Sequence, residues 1–203
     1  MNPVSAATRV AIVDNGGANI ASLRFALERL GVESHLTADP RELTAASHVI
    51  LPGVGAAGDA MRRLETTGLA DVIRELPQPL LGICLGMQLL FESSAEDETR
   101  CLGLVPGRLE KLSPAPDCPV PHMGWNRIEA VRPCPLLEGI GPEEYFYFVH
   151  SYAAPVNEST VAVADYGRPF ASVVATGNLF GTQFHPERSA RAGQRLLANF
   201  LTV

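Results

Sequence analysis

The sequence predicts an α/β fold: a mostly parallel central sheet flanked by helices, with additional antiparallel strands. Three observations carry this. Short, continuous apolar runs recur through the first part of the chain, the pattern of strands buried on both faces. Segments with helical spacing lie between them, the alternation that builds a parallel sheet. From residue 125 onward the chain changes to short β-like runs separated by Pro and Gly, read as antiparallel or mixed strands at one side of the sheet.

Residues 9–13 (RVAIV) form a branched apolar run ending at Asp14-Asn15-Gly16-Gly17, a buried strand and its turn. Residues 19–30 place Ile20, Leu23, Ala26, Leu27 and Leu30 at helical spacing, with Asn19 as cap and Gly31 as stop. Strands follow at 32–36 and 48–51, the latter ending in Pro52-Gly53-Val54-Gly55. Residues 57–75 read as helix broken near Gly68, 79–83 as strand and 85–92 as helix. The β-like runs of the second half are 125–131, 144–149, 160–164, 171–175 and 179–184, and residues 190–201 close the chain as a helix. Residues 113–121, with Pro114, Pro116, Pro119 and Pro121, are the most loop-like segment.

A chain of 203 residues, 46% of them hydrophobic, can bury a sizeable core, and one domain over 1–203 is expected. Residues 1–8 are a candidate disordered segment. The balance of 16 basic and 22 acidic residues, a net charge of −6, argues against a general nucleic-acid binder and against a polybasic membrane patch. Cys84, Cys101, Cys118 and Cys134 form no CxxC pair and fit a reducing compartment. No basic and apolar leader precedes residue 10, and the longest apolar stretch, 79–91, is interrupted by Gly82, Gly86 and Gln88. A soluble, cytoplasmic protein without membrane association is expected. No His/Asp/Glu cluster has metal spacing and no Walker A loop occurs. The formal GxGxxG at Gly53, Gly55 and Gly58 follows the third strand and lacks the distinctive acid of a dinucleotide site. Neither metal nor cofactor is expected.

The sharpest chemical signal is Gly82-Ile83-Cys84-Leu85-Gly86, between an apolar strand and a helix. This is a nucleophile elbow with cysteine in place of serine. The flanking glycines remove clashes that the sharp turn would cause, the helix start suits a thiolate, and the Leu85 N–H would face a developing oxyanion. A buried structural cysteine is the alternative. The best candidate base is His185 in Gln183-Phe184-His185-Pro186-Glu187, at a strand end where α/β sheets present their sites. Glu187 could accept from the imidazole and fix its tautomer. The alternative is a surface His and Glu at a strand end. Gly53 and Gly55 could aim backbone N–H groups at the same oxyanion, and the Gly53-Val54 peptide, free to rotate, could switch one such donor on or off.

These segments resemble the class I (triad) glutamine amidotransferases, over about residues 9–202. Within that class the chain resembles the glutaminase subunits of imidazole glycerol phosphate synthase, from histidine biosynthesis. The elbow and QFHPE are shared by the whole class. Leu51 to Met61 (LPGVGAAGDAM), Pro121 to Asn126 (PHMGWN), Tyr147 to Tyr152 (YFVHSY) and Met87-Gln88 after the elbow point to the narrower group. The resemblance implies a flavodoxin-like amidotransferase fold, with Cys84 as nucleophile, His185 as base and acid, and Glu187 as its orienter. It implies that L-glutamine lies across Gly53, Gly55, Gln88, Ser151 and Tyr152, with Glu96 toward its amino group. Val54 and Leu85 would supply the oxyanion N–H groups. Asn19, Trp125, Asn126, Tyr147 and Arg188 would face a synthase (cyclase) subunit, a (βα)8 barrel, in a heterodimer. Asn15 and Ala18 depart from the group's usual loop, and Arg188 stands where lysine is frequent. Two alternatives remain: a glutaminase serving another pathway, opposed by MGWN and HSY, and a catalytically idle member of the fold.

Overall fold

The computed structural model describes residues 8–16 and 20–203. The disorder expected over residues 1–8 falls, Thr8 apart, on residues 1–7, and the Asn19 cap and the interface role of Asn19 fall on residues 17–19, outside the described residues.

The first part alternates strands and helices: β1 (Val10–Val13), α1 (Ile20–Glu28), β2 (Ser34–Thr37), α2 (Pro40–Ala45), β3 (His48–Leu51), α3 (Ala57–Thr66), α4 (Leu69–Arg74), β4 (Leu80–Ile83) and α5 (Leu85–Leu89). A run of strands follows: β5 (Phe91–Ser94), β6 (Thr99–Arg100), β7 (Val105–Lys111), β8 (His122–Arg127) and β9 (Glu129–Ala130). After a short 3-10 turn at Pro135–Leu137 come β10 (Tyr145–His150), β11 (Tyr152–Ala153), β12 (Thr160–Asp165), β13 (Pro169–Thr176) and β14 (Leu179–Thr182). A second 3-10 turn, Pro186–Arg188, leads into α6 (Ala190–Phe200).

The main sheet has eight strands in the order β2-β1-β3-β4-β14-β13-β12-β9. Pairing is parallel from β2 to β14 and antiparallel from β14 to β9. Every residue of β1, β3 and β4 is buried. The reason is the alternation of side chains across a pleated strand. Val10 and Ile12 pack on one face against Leu23 and Leu27 of α1 and Leu196 and Phe200 of α6. Ala11 and Val13 pack on the other against Leu43 of α2, Met61 and Leu64 of α3 and Ile73 of α4. Helices cover both faces, so strands with no polar side show as unbroken apolar runs.

Three expectations are corrected. The helix expected over 85–92 ends at Leu89, and Phe91 begins β5 of a separate four-stranded sheet, β11-β7-β5-β6. That sheet was not foreseen because β7 buries few of its residues, Val105 and Leu109 among them, and carries Pro106 and Gly107. The 125–131 run divides: its first part belongs to β8, which forms an antiparallel ribbon with β10, the 144–149 run, apart from the main sheet, while Glu129 and Ala130 form β9 and join that sheet at its edge. The helix α2 was also missed. It is six residues long and buries Leu43 alone, although Asp39 caps it and Pro40 opens it. The break near Gly68 is real: Gly68 has φ +71°, between α3 and α4.

Candidate active site

Three adjacent parallel strands, β3, β4 and β14, deliver the site from their carboxyl ends, where open α/β sheets bind ligands. Gly53 to Gly55 follow β3, Cys84 follows β4, and Gln183 and His185 follow β14. Cys84 has φ +52° and ψ −112°, a region that a side chain rarely adopts. Such strain costs on the order of 1–3 kcal/mol and persists where the surroundings enforce it. Here the flanking glycines let them. A Cβ on Gly82 would come within 2.7 Å of the Gly86 carbonyl, and one on Gly86 within 1.7 Å of the Leu51 carbonyl. The elbow therefore folds flat against β3, and the Cys84 N–H is fixed by the Thr182 carbonyl at 2.8 Å.

Cys84 is buried, with its Sγ 3.7 Å from the Val149 carbonyl oxygen. The Gln183 amide donates to the sulfur at 3.9 Å. His185 is nearly buried, and its Nδ1 pairs with Glu187 Oε1 at 2.8 Å, which places the Nδ1 hydrogen toward the carboxylate. Burial works against the charged imidazole. The neighbouring Cys84 sulfur, then the Glu187 carboxylate, overrides it and raises the His185 pKa to about 10. His185 Nε2 and Glu187 Oε2 are buried without a hydrogen-bond partner. A buried unpaired ring nitrogen beside a thiol is costly for stability and suited to moving a proton.

A cleft of about 340 Å³ opens on Cys84 and His185. Of the residues expected to hold substrate, Val54, Gly55, Leu85, Gln88, Glu96, Ser151 and Tyr152 all line it. Gly53 does not; it lines a smaller adjoining cavity of about 90 Å³ with Leu23, Glu187 and Arg188. Gly53 is glycine for space. A Cβ there would meet Leu85 Cβ at 2.9 Å and the Gly86 nitrogen at 3.0 Å, and its φ is not left-handed. A rotating Gly53-Val54 peptide therefore cannot be probed by Gly53→Val, which would force the loop off the elbow. Glu96 Oε2 accepts from the Ala57 N–H at the start of α3, 2.7 Å away, so one of its oxygens is already engaged. A larger apolar hollow of about 590 Å³, beside Ile128, Leu137, Ile140 and Val163, shares no lining residue with the cleft. Chemistry, and not volume, selects the site.

The sequence missed several contributors. Pro121, Val149 and His150 complete the cleft wall. Gln88 Nε2 donates to the Tyr152 carbonyl at 2.9 Å and to Gln183 Oε1 at 3.0 Å, tying the cleft wall to the nucleophile's neighbour. His150 Nδ1 lies 2.9 Å from that same carbonyl, and His150 Nε2 lies 3.0 Å from His122 Nδ1. A carbonyl only accepts, so His150 donates from Nδ1 and His122 donates to His150. Burial lowers the His150 pKa to about 3 and that of His122 to about 4. Asn15 is buried, and its amide donates to the Pro52 carbonyl at 2.7 Å, just ahead of Gly53.

The β8–β10 ribbon has one wet face. Met123 and Trp125 are exposed, at 66% and 53%, and Tyr145 is 46% exposed. Trp125 sits opposite Tyr147 in the register, with ring centroids 5.8 Å apart, and the Arg188 guanidinium lies 4.7 Å over the Tyr147 ring. Trp125, Tyr147 and Arg188 thus form one surface. Asn126 does not share it: successive strand residues face opposite ways, and its amide donates to the Asp165 carbonyl at 2.8 Å.

An elbow cysteine, an imidazole–carboxylate pair and a shared cleft define a cysteine-nucleophile amidase. The family model for class-I glutamine amidotransferases matches residues 11–203, and the chain belongs to that family. It is 54% identical over 196 residues, 97% of this chain and 98% of the relative, to the imidazole glycerol phosphate synthase subunit HisH of Xylella fastidiosa. The HisH of Xanthomonas axonopodis pv. citri matches to the same extent, and within the family the chain belongs with the HisH subunits. Among solved structures it superposes on a glutamine amidotransferase at TM-score 0.74 and 21% identity, covering 95% of this chain and 97% of that one. A glutamine amidotransferase of Thermotoga maritima gives TM-score 0.66 at 18% identity, covering 97% and 83%. These two support the fold.

Proposed function

We propose that this chain is a one-domain, cytoplasmic glutaminase that supplies ammonia to a synthase (cyclase) partner in histidine biosynthesis. The observation that carries it is the pairing of the strained Cys84 elbow with the buried His185–Glu187 pair at the head of one cleft. The HisH relatives are named as subunits of imidazole glycerol phosphate synthase, which supports a complex with a partner subunit; a heterodimer with a (βα)8 barrel is part of the proposal. Among the described residues no helix is long and apolar enough to cross a membrane, and no group of side chains could hold a metal ion.

On this proposal each residue has a task. Glutamine enters the cleft with its carboxamide toward Cys84. The thiolate attacks the carbonyl carbon, and the oxygen becomes an anion facing the Leu85 and Val54 N–H groups. Cys84 and Glu187 favour the protonated imidazole of His185, whose proton goes to the departing nitrogen as ammonia leaves. The neutral imidazole then takes a proton from water, whose oxygen attacks the glutamyl thioester. Glutamate leaves, and the thiolate and imidazolium return. Glu187 keeps the Nδ1 hydrogen in place throughout. Ammonia passes to the partner, which closes an imidazole ring to give imidazole glycerol phosphate and aminoimidazole carboxamide ribotide.

The test is Cys84→Ala in the complex. Glutamine-dependent synthesis should fall by about 10⁴-fold or more, as when a nucleophile is removed from a catalytic unit. Synthesis from ammonium salts should persist, because the partner's chemistry does not use Cys84. Loss of both activities would count against the assignment.

A further inference from the structure

Ser189 stands before the first residue of α6, where a serine hydroxyl ordinarily caps the free N–H groups of the first turn. It makes no such bond. Its hydroxyl donates instead to the His185 carbonyl at 2.6 Å and accepts from the Tyr147 N–H at 3.0 Å. The His185 N–H donates to the Tyr147 carbonyl at 2.9 Å. The three bonds close a ring in which both backbone polar groups of His185 are tied to one residue of β10. Ser189 is wholly buried.

Two neighbours show that this aim is imposed. Ala190, the next residue, has φ +47°, a left-handed conformation disfavoured for alanine. Gly193 lies so close under the turn that a Cβ would come within 1.9 Å of the Pro186 carbonyl and 2.8 Å of Ser189 Cβ. Backbone strain and close packing are concentrated where the hydroxyl turns from its own helix toward the base.

We propose that Ser189 is a positioning residue for the amidotransferase reaction, its hydroxyl clamping the His185 backbone to β10 so that the ribbon sets the imidazole's place over Cys84. The proposal rests on the glutaminase reading above. The clamp joins the chemistry to the exposed face. The Tyr147 ring packs against Trp125 and under Arg188, and two residues on, the Val149 carbonyl faces the Cys84 sulfur. A load on the outer face of the ribbon therefore reaches base and nucleophile through one strand. The His185 carbonyl also accepts from the Arg188 N–H at 3.0 Å. Removing the serine hydroxyl leaves that carbonyl bonded and the His185 N–H on the Tyr147 carbonyl, but orphans the Tyr147 N–H, which loosens strand from base without stripping the base itself.

The test compares Ser189→Ala and Ser189→Thr in the full complex with its synthase partner and that partner's ligand. A displacement of about 1 Å can cost on the order of 100-fold, so Ser189→Ala should lower kcat for glutamine roughly 10- to 100-fold. KM should stay within about twofold and ammonia-dependent synthesis should be unchanged, the pattern of a group acting on the chemical step alone. Ser189→Thr keeps the hydroxyl and should recover most of the lost kcat. A residue that merely locks the turn would lower the thermal midpoint and leave kcat of the folded enzyme alone. A kcat for Ser189→Ala within about twofold of wild type, or no recovery in Ser189→Thr, would overturn the clamp. Should Ser189→Ala not fold, Ser189→Cys, a similar size but a weak donor, takes its place with the same expected loss. Wild-type complex without glutamine turnover would sink the glutaminase reading itself; active wild type beside equally active Ser189→Ala would sink the clamp alone.

Discussion

The strand ends that carry Gly53 and Cys84 and the ribbon that carries Tyr147, Val149 and His150 meet at one sulfur atom, yet they are held differently. β3 and β4 are buried on both faces, and the elbow between β4 and α5 presses on the Leu51 carbonyl with no room for a methyl group. The β8–β10 ribbon is buried on one face, through Phe146 and Phe148, and leaves Met123, Trp125 and Tyr145 in water. The nucleophile is thus set by packing that tolerates no adjustment, whereas the base and the cleft wall are set by hydrogen bonds to an element with a free face. A rigid thiol beside an addressable imidazole suits the proposed reaction, in which turnover would respond to a partner. A partner that covers the aromatic face can act on β10 without disturbing the core.

That contrast can be broken at its rigid side first. Gly86→Ala places a Cβ 1.7 Å from the Leu51 carbonyl, a contact no rotamer relieves. Overpacking of a tight core costs roughly 1–3 kcal/mol and occasionally more, and this site belongs at the upper end. Urea unfolding should show an unfolding free energy lower by about that amount and a correspondingly lower midpoint, whereas Gly141→Ala, where no atom lies within 4 Å, should be near neutral. Equal midpoints for the two would show that the elbow is not held by contact.

The free side is sharpened by Trp125→Ala. A half-exposed tryptophan packed edge-on to Tyr147 is the residue type that dominates interfaces, and its loss should weaken partner binding by about 2 kcal/mol, roughly 30-fold in Kd. The thermal midpoint of the isolated subunit should hardly move. A large drop in stability at unchanged affinity would assign Trp125 to the core instead.

The smallest expected effect separates the ribbon's inner face from its outer one. His122 and His150 are buried neutral, among Phe148, Tyr166 and Phe170, and desolvation is the main cause that disfavours their charged forms, with His185 adding to it at His150. Their folded pKa values of about 4 and 3 lie below the ordinary 6.5, so between these limits the unfolded chain binds more protons. Stability should therefore fall as pH drops from about 6.5 toward 4. His122→Asn keeps a donor toward His150 but removes one of the two groups, and thermal midpoints across this range should fall less steeply than in wild type. An unchanged slope would mean that the pair is not the acid-sensitive element.

The same contrast explains what was legible in the sequence. Strands buried on both faces appear as continuous apolar runs, and Gly82 to Gly86 betrays the elbow because the required residues are adjacent. The pair His185–Glu187 was visible for the same reason, two residues apart on one turn. The ribbon was visible as β-like runs but its separation from the main sheet was not, since its pairing partners are not adjacent in the chain: β9, which joins the main sheet, and a 3-10 turn lie between them. Contacts made across long separations left no local mark. Asn15 reaches Pro52, Gln88 reaches Gln183, His122 reaches His150, and Ser189 reaches back to Tyr147. In each case the residue type is ordinary and its partner is supplied by the topology. Asn126 lies across the strand from Trp125, and its bond to the Asp165 carbonyl, 39 residues away in sequence, likewise left no local mark.

The central claim is that a preset thiol waits on a base whose place is governed from the ribbon. Glutamine hydrolysis by the isolated subunit, set against hydrolysis by the stoichiometric complex with the synthase partner and its ligand, tests it most directly. The account predicts slow turnover alone and a rise on the order of 10²-fold or more in the complex, carried by kcat, the scale of one catalytic group brought into register. Equal rates in the two states would contradict it.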